Sequence, residues 1–534
     1  MPPIVRPLTG AEFYAALQNR WVTAAQIEAT SPQARYVFAY LQNPEVGATC
    51  FVIEEPYVDG DYLEDYASFY VSSFPPYGRY CKRLHFFDRE FNQEQIARLL
   101  SGPDAAAAVE LKAAYVGFIV VRPLPEAVIG RTVLRTFNDD GGRRHFPTVR
   151  EYRPHLNGVE LPIQSLAFEQ QDSSVAACAT VALWSAFHKT HVLFGSSRPR
   201  PAAITRAANV VRAPWRAMPS DRGLNVFQVG EAIRSVGLEP EIYSVSEPAP
   251  MLASIAYAYL SANIPLILVV FVEQQTYHAV TVVGYSQLDH ISGFPEAPYR
   301  DVVSFPGQRI DKLYVHDDGI GPFAMLPIEA TPPGTVKPDN KPPPLVFRTD
   351  WPLEPPAAGR SKAHFMPDLL IVPAYPKIRV SFFTMHDWLA RLMRMFTTLR
   401  TPFLNNGLDV NLLSWSLRLS QVNEFKAFLR SEPTWQNQDV RLVSEDFLPR
   451  FLWIATMRYG GDPHMMIIAD ATDTKRTCPV LRVTWLNSQY QTLIQAMFEA
   501  PHFRSSWELP LGPRFYDAIR TGEMTMPPSA DASI

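Results

Sequence analysis

The stretch 168-FEQQDSSVAACATVALWSAF-187 sets Cys178 in a run of small residues, with a glutamine pair upstream and an apolar pattern downstream. Val181, Leu183, Trp184 and Phe187 recur at helical spacing, and Asp172, Ser173 and Ser174 suit the loop and cap before a helix. A helix is therefore expected to begin at or near Cys178. Unpaired N–H groups and the positive end of a helix dipole favour a thiolate, the nucleophilic form of cysteine. The flanking alanines leave room for a substrate backbone.

A nucleophilic thiol needs a base and a group that orients the base, both usually drawn from distant segments. In 277-YHAVTVVGY-285 a period of two puts His278, Val280 and Val282 on one strand face. In 313-LYVHDDGIGPF-323 the same rule puts Leu313, Val315 and Asp317 together, with Asp317 ending its strand before a glycine-bearing turn. Asp318 is the alternative at that position. The set amounts to Cys-His-Asp.

These segments resemble the papain-like cysteine peptidases, in particular the bacterial branch typified by bacteriocin-processing peptidases. The match rests on 278-HAVTVVGY-285, 314-YVHDDGIG-321 and the glutamines before Cys178, and it covers residues 155 to 375. The resemblance implies an α+β core in which a helix carrying cysteine packs on an antiparallel sheet carrying histidine and aspartate. It implies Cys178 as nucleophile, His278 as base, Asp317 as orienter, and Gln171 with the Cys178 amide as oxyanion hole. The family's glutamine stands one place nearer the cysteine, where this chain has Asp172, so Gln170 remains the alternative to Gln171. Hydrolysis of a peptide or isopeptide bond in a protein or peptide substrate is the implied activity, with no metal or organic cofactor. An acyl transferase of transglutaminase type, or a non-catalytic papain-like binding scaffold, would carry the same residues.

The rest of the chain sets the context. Its 534 residues suit about three domains. The expected division is an α/β accessory domain over 1–150, the papain-like domain over 151–376, and a second α/β accessory domain over 377–534. The flanking domains are expected to gate the site or recruit a regulatory protein. Prolines crowd 327–356, which reads as an exposed, semi-extended loop with neither regular helix nor interior strand. Four cysteines without a C-x-x-C pair suggest neither disulfide framework nor zinc site, and His188 with His191 lacks a completing ligand. His464 and Asp470 read as the ends of a buried strand.

A net charge of -4 gives no general attraction to nucleic acid, so the arginines of 143–153 and 198–216 read as solvated loops. The longest apolar run, 264-IPLILVVFV-272, is too short to span a bilayer, and the N-terminus lacks a signal-peptide pattern. A cytoplasmic protein without membrane association is the expectation.

Overall fold

The structure, a computed structural model, describes residues 4–101, 105–172, 174–175, 177–209, 223–245, 249–273, 276–288, 309–357, 360–398, 400–431, 443, 447–473, 480–499, 515 and 519. The architecture is mixed α+β with antiparallel sheets. No helix among the described residues is long and apolar enough to cross a membrane. Contacts divide the chain into two units, one holding Met1–Ala249, Asn263–Gln287 and Asp311–Ala374, and the other including Pro250–Ala262 and Tyr375–Ile534.

The first unit contains a five-stranded sheet whose order follows the sequence: Ile4–Pro7, Cys50–Tyr57, Cys81–Phe87, Tyr115–Val121 and Ile129–Leu134. It also contains a six-strand barrel of Leu266–Val272, Tyr277–Gln287, Ile310–Asp317, Gly321–Glu329, Val346–Ala357 and Arg360–Ala374. The last of these pairs back with the first from Phe365 to Ile371, which closes the ring. The helix Cys178–Phe194 runs beside the barrel, and every residue from Ala179 to Thr190 is buried. Hydroxyl bonds tie it to its neighbours: Ala182 O accepts Thr281 Oγ1–H from the strand at 2.8 Å, and Ser185 Oγ–H donates to Ala167 O at 2.7 Å. Gly195 ends it with φ of 70°, a left-handed conformation that glycine adopts without a Cβ penalty.

The division expected at residue 150 does not hold. Val52, Phe87 and Leu100 share one continuous core with Leu183, Trp184 and Phe187. Phe51 and Phe86 share another with Val283 and Phe323 of the barrel. The N-terminal sheet therefore cannot shed its apolar face without exposing the Cys178 helix. Pro250–Ala262, read from sequence as part of the central domain, groups instead with the second unit, where Tyr259 meets Trp453 edge to face at 5.6 Å. That unit carries an antiparallel sheet, Leu413–Gln421, Phe451–Tyr459, Asp462–Asp470 and Val480–Trp485, with a core of Phe425, Leu452, Ile454 and Met466. His464 and Asp470 lie buried on its third strand.

The proline-rich segment also departs from expectation, because Val346–Ala357 is a barrel strand. Its register against Arg360–Ala374 shifts on both sides of Pro352. Its pairing with Gly321–Glu329 covers only Val346 and Phe347, so the prolines beyond owe no N–H to that neighbour. The arginine stretches are likewise not plain loops. Arg144 pairs with Glu45 at 2.5 Å, and Arg200 and Arg206 converge on Glu64 at 2.9 and 3.1 Å. Residues 210–216 lie outside the described residues.

Candidate active site

Cys178 is the first residue of its helix and is partly exposed at the surface. The N-cap residue is Ala177, whose side chain accepts no hydrogen bond, so the first turn has no side-chain cap. Asp172 serves the loop rather than the helix: its Oδ1 accepts the N–H groups of Ser174 and Val175, at 3.2 and 2.6 Å, and its Oδ2 accepts Tyr70 Oη–H at 2.6 Å. Ser173 lies outside the described residues.

The segment before Asp172 is an extra edge of the N-terminal sheet. Phe168 bridges to Thr132, and Gln170 N–H donates to Ile129 O. Arg122 clamps it from below, donating to Glu169 Oε1 at 2.5 Å and to Gln170 O at 2.7 Å. Burial pushes the Glu169 carboxyl up to about 8 even with this guanidinium beside it. Gln170 is buried, its Oε1 accepting Ile129 N–H and its Nε2 donating to Glu126 O. Gln171 is exposed, and its amide makes no hydrogen bond among the described residues. Of the two glutamines, only Gln171 has a free amide.

His278 occupies the second position of its strand, opposite Val270. Its Nε2 lies 3.0 Å from Asp317 Oδ1, and the Cys178 thiol is near enough to the imidazole to contribute to its electrostatics. With Nε2 facing the carboxylate, Nδ1 is the nitrogen left for the thiol. Burial alone would lower the His278 pKa, but the Asp317 and Asp318 carboxylates, the bond to Asp317 and the nearby Cys178 thiol hold it well above the usual imidazole value.

Asp317 is the last residue of its strand, and the register shifts between Val315 and Asp317. Such a bulge re-aims a side chain, so simple alternation from Leu313 does not explain the direction of Asp317. The neighbouring His316 instead turns to Ser185 Oγ and Ala167 O, and burial takes its pKa down to about 3. Asp318 Oδ1 is 3.8 Å from His278 Nε2, beyond hydrogen-bond range, and its Oδ2 is buried without a partner. Burial and the Asp317 charge push the Asp318 carboxyl up to about 7. Asp317 is thus the orienting partner, and Asp318 contributes charge.

Sequence reading missed the residues that hold Asp317. Trp351 Nε1–H donates to Asp317 Oδ2 at 2.8 Å while its ring lies 4.8 Å from that of His278. Gly319 N–H donates to Asp317 Oδ1 at 2.9 Å. A Cβ on Gly319 would meet the Trp351 ring at 2.2 Å, so only glycine fits. The helix Pro32–Gln42 completes the support: Gln33 Nε2–H donates to Asp318 O at 3.1 Å, and Tyr36 packs where a Cβ on Gly321 would stand. Trp351→Phe keeps a ring over His278 and removes one donor to a buried carboxylate, so kcat should fall about tenfold with KM unchanged. An unaltered kcat in steady-state assays would mean that Gly319 alone suffices.

His278, Asp317 and Asp318 offer ligand atoms that all lie within 4.8 Å of one another. Both Asp317 oxygens and His278 Nε2 are, however, engaged with one another, Trp351 and Gly319, so a cation would have to displace that network. His188 is buried against Tyr152, and His191 faces Ser196 O, so the two histidines converge on no common point.

No protein-family model matches this chain, and no curated protein matches it in sequence. The geometry of the residues themselves therefore carries the functional argument.

Proposed function

We propose that this chain is a cysteine hydrolase with a papain-like core that cleaves peptide or isopeptide bonds. The observation that carries the reading is His278 held between the Cys178 thiol and the Asp317 carboxylate, with Cys178 opening a helix that lacks a side-chain cap. His278 Nδ1 takes the thiol proton, and the sulfur attacks the acyl carbon. The oxyanion is met by the Cys178 N–H and the Gln171 amide, at about 3 kcal/mol per donor. The imidazolium returns its proton to the leaving amine as the C–N bond breaks. His278 then deprotonates water, which attacks the thioester, releases the acid and restores the thiol.

The deciding experiment treats the full chain with an acyl-electrophile probe, maps the labelled peptide, and counts new amino termini released from an unfolded protein. Label confined to Cys178 together with new termini is the expected result. Labelled-amine incorporation without new termini would make the chain a transferase. Absence of both label and termini would leave only a binding scaffold.

A further inference from the structure

A cavity of about 380 Å³ opens beside the segment that leads into Cys178, lined among others by Tyr77, Glu126, Gln171 and Ser174. A second, of about 410 Å³, continues from it, and the two share Gln33, Pro125 and Glu126. Gln33, which lines both, donates to the Asp318 carbonyl, so the groove borders the loop entering the Cys178 helix and is linked through Gln33 to the turn carrying Asp317. Its length and its junction suit an extended chain better than a compact small molecule.

Most of its polar wall is already engaged. Gln170 is bonded to the Ile129 and Glu126 backbones, Asp172 to Tyr70 and two amides, and Gln33 to Asp318. Four groups are left facing the groove without a hydrogen bond among the described residues: the exposed Glu126 carboxylate, the Gln171 amide, the Ser174 hydroxyl and the Tyr77 phenol. No lysine or arginine lines either cavity among the described residues; the buried Arg122 guanidinium beneath the wall interacts with Asp172, and Glu126 is the lining carboxylate with no ion pair among the described residues. A carboxylate and a tyrosine lining one cavity, with hydrogen-bond acceptors around them, match an ammonium or guanidinium group.

We infer that this groove binds an extended peptide segment and that Glu126, with Tyr77, receives a lysine or arginine side chain of that segment. The inference rests on the hydrolase reading only for its placement beside a scissile bond; binding itself needs no turnover. The test uses the full chain carrying Cys178→Ala and short fluorescein-labelled Gly/Ser peptides that differ only in a central Arg, Lys, Gln or Glu. Anisotropy titrations should show the Arg and Lys peptides binding about tenfold tighter than the Gln peptide, the combined size of a partly exposed ion pair and a cation–π contact. Adding Glu126→Gln should remove that preference, and Glu126→Lys should transfer it to the Glu peptide. Equal affinities, a basic preference that survives both Glu126 substitutions, or no binding up to millimolar protein would overturn the inference. Failure of the wild-type chain to label at Cys178 would instead sink the hydrolase reading and leave the binding result standing.

Discussion

His278→Ala should lower peptide turnover by at least about 1,000-fold, as should Cys178→Ala, because members of one catalytic unit fail together and not additively. The two variants separate in a second readout. Limiting iodoacetamide should alkylate wild-type Cys178 first, and His278→Ala should slow that reaction by removing the group that takes the thiol proton. Cys50 and Cys81 serve as internal controls, since both are buried and burial pushes their thiols up. Cys478 lies outside the described residues and is followed by the same peptide mapping. Removing His278 leaves Asp317 and Asp318 buried without their partner, a change that costs about 3–5 kcal/mol when one member of a buried pair is lost. A thermal melt and the His278→Gln variant, which retains a donor, distinguish lost chemistry from lost folding. Full alkylation at Cys478 with an inert Cys178 in the folded protein would show Cys178 to be a core-filling thiol.

The readable part of the site is the part that local periodicity encodes. Cys178 at a helix start, His278 on an apolar strand and Asp317 before a turn follow from spacing within a dozen residues, and the structure brings those three together. Trp351 was not legible for a physical reason: it stands among prolines, and a register shift lets the chain keep its strand where propensity argues against one. Gly319 and Gly321 looked like turn residues, whereas their function is to leave space for Trp351 and Tyr36. The boundary at 150 failed because element type is local but core sharing is not. Val52 and Leu183 join one core across more than a hundred residues, and no pattern in either segment records that.

The Asp317–Asp318 pair yields the second large effect. Asp317→Ala removes the acceptor 3.0 Å from His278 Nε2, so turnover should fall by about 1,000-fold, while Asp317→Asn keeps a carbonyl oxygen there and should cost about tenfold. Asp318→Asn touches no hydrogen bond to the imidazole and removes only a charge, so its effect belongs in the pH profile. Both carboxylates raise the His278 pKa, and activity that needs the imidazolium to protonate the leaving amine falls as pH rises through that value. Taking away the Asp318 charge lowers the His278 pKa, so the basic limb of kcat should move to lower pH, with the acidic side of the profile retaining most of its rate. Asp318 itself, pushed up to about 7, loses its proton over the neutral range in the wild type, and its growing charge there extends the basic limb upward. Rate measurements across pH on the four variants, wild type included, read all of this at once. Abolished turnover in Asp318→Asn beside a harmless Asp317→Ala would move the orienting role one residue along the chain and show that the bulge after Val315 aims the other carboxylate at His278.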